Sequence, residues 1–192
     1  MTVYDDMRVG RLFDVYDHDL VARRAAAREQ VERFNALGET NPAASAAIIK
    51  GLFGASGPKC SVHATFRCDY GSNIYIGDDF FANYDCVMLD VAPIRIGQHC
   101  LLGPHVQLYS VNHPEDPLLR RNGAKGIGKP ITLGDDVWVG GGAIICPGVT
   151  LGNNVIVGAG SVVTHSFGDN VVIGGNPARV LKRLGAVCPD SQ

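Results

Sequence analysis

The stretch LGDDVWVGGGAIICPGVTLGNNVIVGAGSVV, Leu133 to Val163, decides the fold. In steps of six it reads Leu133, Val139, Ile145, Leu151, Val157 and Val163. A second column, Val137, Ala143, Val149, Val155 and Ser161, is small or β-branched. Glycine directly follows four of the leading aliphatics, at Gly134, Gly140, Gly152 and Gly158. Helices repeat near 3.6 residues and strands at 2, so neither holds one residue type in register at six. A fixed period of six is the mark of stacked coils, a parallel β-helix, with three hexads to a triangular coil of about 18 residues. The leading aliphatics then point inward, and the glycines are expected at corners, where they relieve strained φ/ψ.

Working outward, the same period resumes upstream in broken form. Ile76, Ala82 and Met88 are six apart, with Phe80 and Cys86 in the second column. The step slips by two at Asp90-Val91-Ala92-Pro93 and returns as Ile96, Leu102 and Leu108, with Cys100 and Val106. A ragged start near Val62 and an interruption from Tyr109 to Pro130, rich in Pro, Gly, Asn and charge, complete the pattern. Residues 1–56 lack the hexad and read as a helical segment. Asp17 or Asp19 caps a helix carrying Leu20, Ala27, Val31 and Phe34 that ends near Gly38. Asn41-Pro42 opens a second helix, with Ile48, Ile49, Leu52 and Phe53 on it and Gly54 as its stop. The expected organisation is a helical segment over 1–56, a β-helix over 57–184 and a tail over 185–192. The helices at one end, and residues 178–184 at the other, are expected to cover the open ends of the solenoid.

Composition narrows the function classes. A formal charge of −2 gives no electrostatic case for nucleic acid or an anionic membrane surface. No signal-like segment opens the chain and no apolar run approaches the ~18–20 residues that span a bilayer, so a soluble cytoplasmic protein is expected. Cys60, Cys68, Cys86, Cys100, Cys146 and Cys188 form no CxxC pair or metal-finger spacing and read as structural free thiols.

Inward aliphatics are packing, so chemistry must sit on outward side chains and interruptions. His113, in Asn112-His113-Pro114-Glu115-Asp116-Pro117, leads: an imidazole takes and returns a proton near neutrality, and Glu115 or Asp116 are candidates to orient it. His99 and His105 occupy the same place in neighbouring hexads, with His63 upstream, which raises a rival metal site supporting hydration or hydrolysis. Six residues apart within one coil, they fall on different faces, and solvated corners are the plainer reading. Arg179, Lys182 and Arg183, after Thr164 and His165, would hold phosphates of a nucleotide-bearing cofactor, or form an ordinary solvated edge. Gly140, Gly141 and Gly142 beside Trp138 would let a thin ligand approach backbone N–H groups, or form a tight corner.

Taken together, these stretches resemble the hexapeptide-repeat acyltransferases, in particular the maltose, galactoside and nodulation-factor O-acetyltransferases. The resemblance is carried by Phe66–Ile74, Phe81-Ala82-Asn83-Tyr84, Leu89–Pro93, Asn112-His113-Pro114, Lys129-Pro130-Ile131, Asp136–Gly140, Pro147-Gly148-Val149, Gly158–Thr164 and Gly175–Val180, with Met7 to Phe13 at the N-terminal end. It implies a left-handed parallel β-helix, a homotrimer with active sites between subunits, and acetyl transfer from acetyl-CoA to a sugar hydroxyl, with no metal. His113 matches the family's catalytic base. Asn83 matches a residue lining the site, Asp69 and Arg24 match acceptor contacts, and Asp14 and Asp17 are both choices for the family's N-terminal acceptor-binding aspartate. Gly141, Ala159, Thr164, Arg179 and Lys182 match the acetyl-CoA groove, with Trp138 beside it. His165 stands where relatives commonly carry lysine and Lys182 where some carry arginine. The loop Gly123–Gly128 lacks their acidic or methionine residues. A metal-dependent hydratase and a non-catalytic trimeric sugar-binding scaffold are the alternatives on the same fold.

Overall fold

The computed structural model describes residues 2–121, 123 and 125–185. Cys188, most of the expected tail and Ala124 of the Gly123–Gly128 loop lie outside the described residues. Short parallel strands stack into three sheets that form the three faces of a β-helix. Both columns of the repeat are buried, from Ile76 through Val163. The six leading aliphatics of Leu133–Val163 each retain 2% exposure or less, a contribution of roughly 1.5–3 kcal/mol per side chain.

Coil length varies as the sequence slips. Thr132 pairs with Thr150 and Ile144 with Val162, an advance of 18 residues. Ile74 pairs with Ile94 and Val87 with Gln107, an advance of 20 that absorbs the Asp90–Pro93 slip. The repeat begins earlier than Val62: Ala55–Ser56 already pairs with Tyr75-Ile76 as the first rung.

The expected corner role of glycine holds for Gly142, Gly148 and Gly160, which have positive φ, but not for the glycines that follow the aliphatics. Gly134, Gly140, Gly152 and Gly158 do not have positive φ. Two columns of corners do: Asp79, His99, Asp136, Asn154 and Asn170 form one, and Asp85, His105, Gly142 and Gly160 the other. Asp, Asn and His tolerate this left-handed conformation better than most residues. Gly134, Gly140 and Gly152 instead permit coils to touch, whereas a Cβ on Gly158 would meet nothing closer than 3.4 Å. A Cβ on Gly140 would lie 2.6 Å from the Ala159 nitrogen and 2.8 Å from the Val157 oxygen.

Both ends are covered. Helix α1 (Val3–Arg8) starts on a Thr2–Asp5 capping box. Helix α2 (His18–Leu37) is capped by Asp17, whose carboxylate accepts from the Asp19 and Leu20 N–H groups, and it ends at Gly38. Helix α3 (Pro42–Leu52) is capped by Asn41 and stops one residue short of Phe53. Ala27, Val31 and Phe34 of α2 and Ile49 and Leu52 of α3 join the solenoid core, closing its first coil. At the far end the strand Ala178–Arg183 runs antiparallel to Val171–Gly175, pairing that edge.

The Tyr109–Pro130 interruption is more ordered than a loop. Val111–Asn112 and Lys125–Gly128 pair antiparallel, and the N-terminal strand Leu12–Asp14 adds to the second of these. A short helix α4 (Pro117–Arg121) spans part of the excursion between them. Neither α1 nor the 12–14 strand was expected from the sequence.

Candidate active site

His113 follows directly on the strand Val111–Asn112. Its Nδ1 lies 2.8 Å from the Lys125 carbonyl oxygen on the facing strand. A carbonyl only accepts, so Nδ1 carries the hydrogen and donates. The neutral ring then presents Nε2 as an unprotonated acceptor. This corrects the expected carboxylate partner: backbone, not Glu115 or Asp116, orients the ring. The Asp116 carboxylate accepts from the Leu118 N–H at 2.7 Å, at the start of α4. Lys125 is itself tied at Nζ to Asp14 Oδ2 (3.1 Å), within the 12–14 strand pairing. Asp14 also accepts the Tyr16 N–H, and these two bonds hold its carboxyl below the usual range.

A cavity of about 500 Å³ lies between α2 and the edge of one solenoid face. Arg24, Arg28, Glu32 and Asn35 line it from the helix, Arg67 and Asp69 from the first coil, and Val87 and Leu89 from the second. The structure thus brings together Arg24 and Asp69, two residues singled out from the sequence. Arg24 donates to the Tyr70 hydroxyl at 2.7 Å and to the Val15 carbonyl. Burial raises the Asp69 pKa, partly countered by Arg24 and Arg28. Asp17, spent on capping α2, and Asp14, paired with Lys125, do not line this cavity.

The remaining candidates follow another corner of the prism. Trp138 is half-exposed on a strand whose neighbours in register are Leu101 and Ile156. Gly141 and Ala159 occupy equivalent places one coil apart, at the turn after this strand. Their N–H groups find no acceptor among the described residues, whereas the next N–H in each turn is bonded, Gly142 to Pro104 and Gly160 to Gly141. Thr164 is exposed on the following face. Arg179 and Lys182 are exposed on the terminal antiparallel strand, in the same seven-stranded sheet as Trp138. Asn83, at the corresponding corner of an earlier coil, uses its side-chain oxygen to accept the Tyr84 N–H at 2.8 Å. Trp138, Gly141 and Ala159 thus line one edge, and the cavity borders the first coils of the same corner, where its lining residue Thr65 bonds Asp85.

The other histidines have structural explanations. His99 and His105 are the left-handed corners already described, 3.3 Å from Asp136 and 3.7 Å from Asp85 respectively. His63 Nδ1 is 3.0 Å from Glu39 Oε1 without hydrogen-bond alignment, and its ring packs edge-on against Phe81 and Tyr84. Among the described residues no three His, Cys, Asp or Glu side chains gather as metal ligands would. Cys60, Cys68, Cys86, Cys100 and Cys146 are free. Burial pushes the Cys86 and Cys100 thiols up to about 11, away from thiolate reactivity. No helix among the described residues is long and apolar enough to cross a membrane.

Sequence reading missed Asp90. It is fully buried in the two-residue slip, where it accepts three backbone N–H groups. The available signal was a charged residue inside an otherwise apolar break in the repeat.

Comparison with known proteins accounts for this arrangement. Residues 130–165 match the bacterial transferase hexapeptide (six repeats) model, and residues 6–57 match the maltose acetyltransferase hexapeptide capping motif. Nodulation protein L of Rhizobium meliloti is 43% identical over 180 residues, spanning 93% of this chain and 97% of that protein. A maltose O-acetyltransferase from Clostridium difficile 630 superposes with a TM-score of 0.94 at 44% identity, covering 96% of this chain and 98% of the other. A galactoside acetyltransferase in complex with coenzyme A gives 0.91 at 34% identity, covering 96% and 92%. The prism is therefore a left-handed parallel β-helix, and its helical N-terminal segment is a capping motif. The chain belongs to the hexapeptide-repeat acetyltransferases, in the branch of the maltose and galactoside O-acetyltransferases.

Proposed function

We propose that the protein transfers acetyl from acetyl-CoA to a hydroxyl of a saccharide, with His113 as general base. The observation that carries this reading is the His113 Nδ1–Lys125 carbonyl bond, which leaves Nε2 as a base on a fixed ring. In the step proposed, Nε2 takes the acceptor's hydroxyl proton as that oxygen attacks the thioester carbonyl carbon. The tetrahedral oxyanion accepts the Gly141 N–H, which is free to donate. The C–S bond then breaks, and the thiolate leaves as CoA thiol with the proton from His113. Transfer is direct, without an acyl-enzyme.

The cofactor reading draws support from the corner Trp138–Gly141–Ala159 and from coenzyme A in the related galactoside acetyltransferase. Stacked coils are about 4.8 Å apart, so the Gly141 and Ala159 donors form a ladder suited to a thin, amide-bearing arm. Thr164, Arg179 and Lys182 continue this edge toward the cofactor's phosphates, and Asn83 borders both cofactor and acceptor. Arg24 and Asp69 face the acceptor, with Asp14 supporting the His113 loop through Lys125 and Asp17 holding α2. We assign a homotrimer in which the His113 loop of one copy completes the groove of the next, as the resemblance to the sugar O-acetyltransferases implies. A cytosolic setting, where free thiols persist, goes with this assignment.

The test is His113→Ala, assayed by CoA release over a panel of sugars. The variant should lose about 10²–10⁴-fold in kcat while still binding CoA. Wild-type kcat in the variant would remove His113 from the role, and a wild-type enzyme inert toward every sugar would overturn the saccharide acceptor.

A further inference from the structure

The turn from Asp69 to Asn73, which forms part of the cavity wall, is held from behind by a single carboxylate. Asp90 Oδ1 accepts the backbone N–H of Asp69 at 3.0 Å and of Tyr70 at 2.8 Å, and Oδ2 accepts that of Asn73 at 3.2 Å. Asn73, fully buried like Asp90, donates its side-chain amide to the Asp90 carbonyl at 2.8 Å and accepts from the Tyr4 hydroxyl at 2.8 Å. The consequences reach the cavity by two routes. Asp69 lines it directly. The Tyr70 hydroxyl accepts Arg24 Nη1, so the position of Tyr70 sets that of a second lining residue.

The same turn reaches the His113 side. The Ala92 N–H donates to Ser110 Oγ at 2.9 Å, and the Ser110 carbonyl accepts the Lys129 N–H at 2.8 Å. Ser110 and Lys129 are the two residues from which the excursion carrying His113 leaves and returns. The segment Asp90–Pro93 is therefore bonded to the acceptor-side wall and to the root of the His113 excursion at once.

Packing alone does not ask for a carboxylate here. A buried ion is costly unless its hydrogen bonds are made, and an apolar side chain would fill the same space without that cost. What an apolar residue could not do is fix three N–H groups of another turn. We infer that Asp90 is a positioning residue for the acceptor: it sets Asp69 through the backbone and Arg24 through Tyr70, and it touches neither substrate nor cofactor. This rests on the proposed reading of the cavity as the acceptor side.

The experiment compares Asp90→Asn and Tyr70→Phe with the wild type, using acetyl-CoA and the best sugar from the panel. Four quantities are read: KM for the sugar, KM for acetyl-CoA, acetyl-CoA hydrolysis without sugar, and thermal midpoint. In Asp90→Asn an amide N–H₂ must face one of the three donors. The sugar KM should rise about tenfold, as loss of a charge-assisted contact implies, with acetyl-CoA KM within about twofold and hydrolysis retained. Tyr70→Phe frees only Arg24 and should show the same split to a smaller degree with little change in thermal midpoint. Should Asp90→Asn fail to fold, Tyr70→Phe carries the test alone. An unchanged sugar KM in the folded variants, or a parallel rise in both KM values with loss of hydrolysis, would overturn the positioning role. If the wild type itself acetylates no sugar, the reading of the site fails rather than the role of Asp90.

Discussion

Gly126→Ala is the substitution that most directly tests how the N-terminal strand supports the loop carrying the proposed base, His113. Gly126 lies opposite Phe13 in the antiparallel pairing, one residue beyond Lys125, whose carbonyl orients His113. A Cβ at this position would sit 2.5 Å from Phe13 Cζ and 2.7 Å from Cε1. Phe13 is buried in the satellite core with Met7, Leu20, Tyr70 and Val91, so its ring cannot swing into solvent. The strand pair must part instead. Overpacking of this kind costs about 1–3 kcal/mol. At about 2–4 °C per kcal/mol for a chain of this length, the thermal midpoint should fall by about 2–12 °C. Displacing Lys125 weakens a neutral hydrogen bond worth about 0.5–1.5 kcal/mol, so kcat should drop about 2- to 12-fold. The acetyl-CoA KM should hold, because among the described residues no hydrogen bond of Trp138, Gly141 or Ala159 runs to Phe13, Lys125 or Gly126. Phe13→Leu on the Gly126→Ala background should return much of both losses, and the double-mutant cycle isolates the steric term. Assays are steady-state kinetics and thermal unfolding at one protein concentration. Wild-type kcat and midpoint in Gly126→Ala, or a double mutant no better than the single, would refute the link between this contact and His113.

Three further outcomes are expected. Gly140→Ala presses a methyl into backbone atoms of the next coil and should lose about 1–3 kcal/mol in urea unfolding. Gly160→Ala, with open space but φ +69, should lose only the left-handed strain, about 1–2 kcal/mol, and Gly160→Asn less still. Equal or inverted losses would return the repeat glycines to a purely conformational role. Burial raises the Asp90 pKa from 3.8 to about 6, against the pull of its N–H donors. The folded state therefore holds that proton more tightly than the unfolded chain. The contribution of Asp90 to stability is greatest below about pH 4 and is lost as pH rises through about 6, a change on the order of 3 kcal/mol. The stability difference between wild type and Asp90→Asn, followed from pH 4 to 7, should shift accordingly; a flat difference would contradict it. Arg179→Ala should raise the KM for acetyl-CoA more than that for the sugar, and unchanged CoA affinity would remove Arg179 from the phosphate site.

What was readable from the sequence, and what was not, divides along a physical line. Stacking puts Val139 against Leu102 and Val157, so every coil repeats the same demand and the period of six announces it. Caps are equally local: Asp17, Asn41 and Gly38 act within a turn of themselves. The His113 excursion showed itself as a break in register, yet the partner of its imidazole did not. Lys125 contributes a carbonyl, a group every residue has, and so leaves no trace in residue type. The strand that steadies Lys125 is three residues long and pairs across more than a hundred positions, with no alternation long enough to read.

Two misreadings have the same origin. Glycine after four of the six aliphatics suggested φ freedom, because that is glycine's commonest local reason. Here the reason is the neighbouring coil, visible only once Gly140 is set against Ala159. Asp90 was read as part of a slip in the repeat, since carboxylates are ordinarily solvated. Its burial follows from the three N–H groups of a turn about 20 residues earlier, one coil below, where Arg67 pairs with Val87 at the same 20-residue advance. Both of the first two coils carry two extra residues, Ala55 pairing with Tyr75 and Ile74 with Ile94. The extra length of the first accommodates the turn at Asp69–Asn73, and that turn exposes donors which a carboxylate in the lengthened corner one coil above satisfies. A regular 18-residue coil at this level would have neither the turn nor the donors. The departure from the repeat therefore supplies both the Asp69 wall of the cavity and the residue that holds it.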